Sequence, residues 1–126
     1  MIAAMVDTNI LIELYRANPL ARAWLKTQSD LAIASVVALE LMDGAHGKQG
    51  QRDCQKLIDA FQIVFLTTPD QQWALTKLVE YRLSNGIGWA DCLIASVAHR
   101  LQVPLYTRNA KDFTPLLGES LVITPY

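Results

Sequence analysis

Ile2-Ala3-Ala4-Met5-Val6-Asp7-Thr8-Asn9 is the stretch on which the reading of this chain turns. Five apolar residues are too few for a buried helix and suit a short buried strand. The run then breaks on a carboxylate, and Asp7 or Thr8 can cap a helix that extends to about Arg16. A strand that hands over directly to a helix is the opening half of a β-α unit. The same hand-over recurs along the chain.

Asn18-Pro19 restarts a helix, with Asn as cap and Pro at the first helical position. Leu31–Ala34 reads as a second strand, and the helix after it carries Leu39-Glu40-Leu41-Met42 and stops at Gly44. His46 to Gly50, with two glycines, reads as a loop before a helix with Cys54, Leu57, Ile58 and Phe61 at helical spacing. Ile63–Leu66 is a third strand. Asp70 is expected to cap a helix that turns Leu75, Leu78, Val79 and Leu83 to one face and ends at Asn85-Gly86. Ala90–Leu101 is a further helix, and Val103–Thr107 and Leu121–Thr124 complete the strands. Strands alternating with helices predict an α/β three-layer sandwich, a central, mainly parallel sheet flanked by helices.

The 126 residues contain no linker, repeat or low-complexity stretch, so residues 1–126 are expected to form a single domain. The apolar fraction of 52% leaves room for a lasting partner interface. With 11 basic and 12 acidic residues the net charge is −1, so any surface for a polyanion must be a local patch. Cys54 and Cys92 are too few and too far apart for a disulfide framework or a zinc site, and read as buried thiols. The apolar start lacks a basic flank and is too short for a signal sequence, and no run approaches a spanning helix. The expected location is the cytoplasm, without a membrane association.

Asp7, Glu40, Asp91 and Asp112 each interrupt or border an apolar run, where carboxylates are rare unless paired or bound to a cation. Asp7 ends the first strand and Asp112 follows the Val103–Thr107 strand. Asp91 opens a helix, and Glu40 projects from the helix after the second strand, beside Val36, Val37 and Gly44. In open parallel sheets ligands bind beyond the carboxyl ends of the strands, a rim on which all four can converge. Singly, Asp7 is explained as a helix cap, Asp91 as a carboxylate favoured by a positive helix N-terminus, and Asp112 as the cap of a short turn before Thr114-Pro115. Jointly, one acid per β-α unit suggests a shared divalent metal.

The ordered set Asp7-Thr8-Asn9, Ser35-Val36-Val37-Ala38-Leu39-Glu40-Leu41 ending at Gly44, Asp91-Cys92-Leu93-Ile94-Ala95 and Thr107-Arg108-Asn109-Ala110-Lys111-Asp112-Phe113 spans the chain. It resembles the PIN domain, and most of all the single-domain VapC-type toxins of prokaryotic toxin–antitoxin pairs. The resemblance implies a Mg²⁺- or Mn²⁺-dependent endoribonuclease acting on RNA, with a small antitoxin protein as partner and a homodimeric state. Asp7, Glu40 and Asp91 match the family's metal-binding acids. Many members place an aspartate directly after the Thr-x dipeptide, where this chain has Asn109. Asp112, three residues on, is the candidate fourth acid.

Hard divalent ions choose carboxylate oxygens and water. Such an ion neutralises charge on a scissile phosphate and acidifies water, and Glu40 is either a ligand or the general base. Thr8, Asn9, Thr107 and Asn109 are candidates to orient ligands or phosphate, against ordinary turn and cap roles. Arg108 and Lys111 are the best-placed RNA-binding cations, ahead of Arg16, Arg22 and Lys26. Trp89 reads as core packing, with base stacking as its alternative. His46 and His99 have no ligand-like spacing. Two other function classes stay open: an aspartyl-phosphate hydrolase, which usually has a second Asp where this chain has Asn9, and a catalytically inactive binding module.

Overall fold

The structure, a computed structural model, describes all residues 1–126. The strands are β1 (Ala4–Val6), β2 (Leu31–Ala34), β3 (Gln62–Val64), β4 (Leu105–Tyr106) and β5 (Val122–Ile123). The helices are α1 (Thr8–Tyr15), α2 (Pro19–Leu25), α3 (Ser35–Asp43), α4 (Gly47–Asp59), α5 (Thr68–Asn85), α6 (Trp89–Leu101) and α7 (Ala110–Leu117). All strand pairs are parallel, and the sheet order is β3-β2-β1-β4-β5. The expected three-layer α/β sandwich is thus what the chain forms.

The topology places a crevice. From β1 the chain moves outward through β2 to β3, then crosses back to β4 and on to β5. Right-handed crossovers put α1–α4 on one face and α5–α7 on the other, in keeping with the packing of α1 on α3 and α4 and of α6 on α5 and α7. The reversal falls between β1 and β4, the switch point where such sheets hold ligands. Beneath it lies a core of 28 buried residues, including Met5, Val6, Ile10, Leu11, Ile33, Val97, Leu105 and Phe113. Burying an apolar side chain of this size stabilises the fold by about 1.5–3 kcal/mol.

Several expectations are corrected. Gly47 to Gly50 is not a loop but the first turn of α4. Gly50 is buried there, with the Tyr15 hydroxyl 3.4 Å from where a Cβ would stand. The cap of α5 is Thr67, not Asp70: the Thr67 hydroxyl accepts from the Asp70 amide, and Asp70 accepts from the Thr67 amide, a reciprocal capping box. Leu75, Val79 and Leu83 face solvent, because α5 turns Asp70 and Ala74 inward and rests half-buried Trp73, Leu78 and Tyr81 on the core. Trp89 is 64% exposed and is not a core residue. Asp112 lies in the first turn of a full helix, α7, which continues through Pro115. His99 stacks on Trp73, with ring centroids 4.8 Å apart.

Candidate active site

Asp7 is the hub of the rim. It ends β1 and caps α1, so its backbone is extended and its side chain turns back over the helix start. One carboxylate oxygen, Oδ1, accepts from the Thr8 amide at 2.7 Å, and the other, Oδ2, accepts from the Thr107 hydroxyl at 2.7 Å. Asp7 is only 5% exposed. Burial pushes its pKa up to about 6, the two hydrogen bonds pull against that, and the charges of Glu40 and Asp112 push it further up.

Thr107 sits at the end of β4 and is fully buried. Its hydroxyl donates to Asp7 and accepts from the Asn109 amide at 2.9 Å and, more weakly, from Asn9 Nδ2 at 3.5 Å. A hydroxyl has one proton and two lone pairs, so all its capacity is used. The Asn9 carbonyl oxygen accepts from the Arg108 amide at 3.3 Å, tying α1 to the residue after Thr107. Asn9 and Thr107 therefore brace the crevice from both sides.

Asp91 belongs to the first turn of α6, which starts at Gly88 without a side-chain cap. Its carboxylate forms no ion pair, and its place in the first turn sets it beside the positive end of the helix dipole. Burial raises its pKa to about 6, and the charges of Asp7, Asp112 and Glu40 add to the rise. The four acids are thus near enough for their charges to act on Asp91.

Glu40 departs from the sequence reading in one respect: its residue is exposed, while Val36, Val37 and Leu41 carry the buried face of α3. It is nonetheless anchored, because the Thr8 hydroxyl donates to Glu40 Oε1 at 2.7 Å. Thr8 thus joins Asp7 and Glu40 through its amide and its hydroxyl. Packing of α3 against α6 carries Glu40 toward Asp91. Beside Glu40 a cleft of about 250 Å³ opens between α1, α3 and α4, lined among others by Tyr15, Arg16 and His46.

Asp112 accepts from Asn109 Nδ2 at 2.8 Å, so the amide in the family's usual acid position holds the acid one turn further on. None of the four carboxylates is paired with a Lys, Arg or His. No three His, Cys, Asp or Glu side chains stand close enough together to hold a metal ion between them. The all-oxygen donor set fits a hydrated hard cation that takes few direct protein ligands and completes its shell with water.

Arg108 and Lys111 are both exposed next to this rim. Arg108 does not stand alone, a feature the sequence reading missed. Its Nε lies 3.8 Å from Glu13 Oε1, and its guanidinium carbon lies 4.8 Å from the centre of the Tyr126 ring. The Tyr126 hydroxyl donates to Glu13 Oε2 at 2.5 Å. These partners lie 113 positions apart, beyond the reach of any local pattern.

Residues 4–114 match the model of the PIN domain. A ribonuclease VapC of Rickettsia bellii (strain RML369-C) is 30% identical over 119 residues, covering 86% of this chain and 87% of its own. Among solved structures, a toxin–antitoxin complex from Klebsiella pneumoniae superposes with a TM-score of 0.76 at 29% identity, covering 98% of both chains. VapBC2 from Rickettsia felis, bound to a DNA fragment from its promoter, gives 0.78 at 26% identity and the same coverage. With its switch-point crevice ringed by Asp7, Glu40, Asp91 and Asp112, this chain belongs to the PIN-domain family.

Proposed function

We propose that this protein is a Mg²⁺- or Mn²⁺-dependent endoribonuclease, the toxin of a toxin–antitoxin pair. The observation that carries the reading is the gathering of four carboxylates at the switch-point crevice without a basic partner for any of them. Evolved folds seldom leave such repulsion standing unless a cation or reaction uses it. The similar ribonuclease VapC and toxin–antitoxin complexes support the substrate class and the partner.

Asp7, Glu40, Asp91 and Asp112 would hold the cation, which would be centred on Asp7 and Asp91. When bound, the cation supplies neutralising charge at the scissile phosphate and acidifies nearby water. Thr107 and the Thr8 amide fix the Asp7 carboxylate in one orientation, so it need not reorganise during the reaction. Glu40, exposed and held by Thr8, takes the proton from the attacking water. Arg108 and Lys111 contact phosphates flanking the cut, and exposed Trp89 offers a face for base stacking. Asn9 and Asn109 orient the crevice rather than bind metal.

Residues 1–126 act as one domain in the cytoplasm; no helix is long and apolar enough to cross a membrane. Exposed Leu75, Val79 and Leu83 on α5, with Leu39 and Phe65, support protein partners, a second copy of the chain and a small antitoxin. An aspartyl-phosphate hydrolase is disfavoured because Asn9 stands where that class usually has its second acid.

The test is cleavage of mixed cellular RNA by the purified, partner-free protein with Mg²⁺ or Mn²⁺. Cleavage is expected, stopped by a chelator and absent in Asp7→Asn. Cleavage undiminished by the chelator, or none with either metal, overturns the reading, and a trapped phosphoaspartate, an acyl phosphate on Asp7, favours the hydrolase.

A further inference from the structure

Arg108 is seated on two side chains from distant parts of the chain. Glu13 comes from α1, and Tyr126 lies just after β5. The ring of Tyr126 lies under the guanidinium, and its hydroxyl holds the Glu13 carboxylate whose other oxygen faces Arg108 Nε. Tyr126 is itself held, its ring 5.9 Å from buried Trp24, which meets Tyr106 of β4 edge-on at 5.3 Å. A chain of contacts thus runs from the core to an arginine whose side chain remains 38% exposed. Its two terminal nitrogens make no hydrogen bond within the protein.

We infer that Tyr126 and Glu13 are positioning residues, which hold Arg108 pre-aimed at an RNA phosphate beside the acidic rim. This rests on the ribonuclease reading above and adds to it what governs the strength of the phosphate contact. An unheld arginine loses its rotamer freedom on binding, and a seated one has less to lose. Nε is turned to Glu13, so the two outer amino groups are left for a phosphate. Glu13 offsets part of the charge from the Nε side and leaves the outer amino groups free to hydrogen-bond a phosphate.

The test is a double-mutant cycle on binding of a short, fluorescein-labelled single-stranded RNA, in the Asp91→Asn background so that nothing is cut. Tyr126→Leu keeps apolar bulk against Trp24 and removes the ring face. It should weaken binding roughly two- to fivefold, the range of an exposed cation–π contact. Tyr126→Phe, which keeps the face, should stay within about twofold of the parent. In an Arg108→Ala background Tyr126→Leu should have no further effect, since the residue acts through the arginine. In the parent that keeps Asp91, Tyr126→Leu should raise KM by a similar factor, and Tyr126→Phe should not. Equal losses with and without Arg108, or none from Tyr126→Leu, overturn the inference even if RNA is cut. Failure of the wild-type protein to cut RNA, with the cycle intact, instead overturns the ribonuclease reading and leaves the seat standing.

Discussion

The hydroxyl of Thr107 and the carboxylate of Asp7 meet at 2.7 Å across the junction of β4 and β1, both buried, and lock the two sides of the crevice together. The bond does two things. It satisfies an acid that has almost no access to water, and it opposes the rise in pKa that burial imposes on Asp7.

Thr107→Val keeps the shape and removes the hydroxyl. Asp7 Oδ2 is then buried without a partner, so stability should fall by about 1–3 kcal/mol in urea titrations. Loss of a bond to the charged form moves the Asp7 pKa above about 6. If cleavage needs ionised Asp7, the acid limb of its pH profile should move to higher pH. An unmoved limb would show that Asp7 does not titrate in the reaction.

Asp91→Asn should abolish cleavage and leave the fold more stable near neutral pH in the absence of metal. The sign follows from a folded pKa raised from 3.8 to about 6. Below the unfolded value both states hold the proton and the substitution gains nothing. Above about 6 the folded carboxylate is charged while partly buried and among acidic neighbours, and the amide removes both the desolvation cost and the repulsion. Discounted for the partial exposure of Asp91, the gain should be about 1–2 kcal/mol near neutral pH and vanish below about pH 4. Denaturant midpoints across that range test it, and a variant less stable at neutral pH would make Asp91 a structural residue.

Metal should relieve the same strain in the wild-type chain and shift stability in the same direction. Mg²⁺ at about 100 times its dissociation constant should stabilise the fold by about 2.7 kcal/mol, seen as a higher melting temperature that Asp7→Asn and Asp91→Asn lose. Calorimetry without RNA should count one cation per chain, because Asn109 leaves the rim one negative charge short. Two tight cations would refute this.

Asp112→Asn and Asn109→Asp probe the same vacancy from two directions. Asp112 is close enough to repel Asp7 and Asp91, and Asn109 steadies it. Asp112→Asn should therefore cut activity at least tenfold and weaken metal binding, whereas Asn109→Asp should tighten metal binding. A nearly silent Asp112→Asn would return Asp112 to the role of a helix-turn residue.

Much of the fold was legible because each β-α unit carries its own local signal. Leu31–Ala34 was delimited by its apolar run, and α3 was bounded by Gly44. The failures arise where tertiary contact overrides local chemistry. Gly50 reads as a loop residue, but the Tyr15 hydroxyl packs where a larger side chain would go. Pro115 and Thr114 hid α7, although the Thr114 hydroxyl donates to the Ala110 carbonyl and the helix runs on to Leu117. Along α5 the greasiest stripe faces out because Asp70, bonded to Arg100 and Thr67, occupies the inward face. At the site, the acids could be picked out because carboxylates in apolar runs are rare. The links between them, Thr8 to Glu40 and Thr107 to Asp7, had no local trace.

The order of the strands also bears on when the chain becomes dangerous to its host. β1 is made first, yet its neighbour β4 and the hydroxyl that fixes Asp7 arrive 100 residues later. Contacts so distant in sequence form late, after the loops that join them have closed. A growing chain on the ribosome therefore holds Asp7, Glu40 and even Asp91 without the frame that aims them. If the proposed cleavage is right, translation itself acts as a safety catch, and an antitoxin need only recognise the finished sheet.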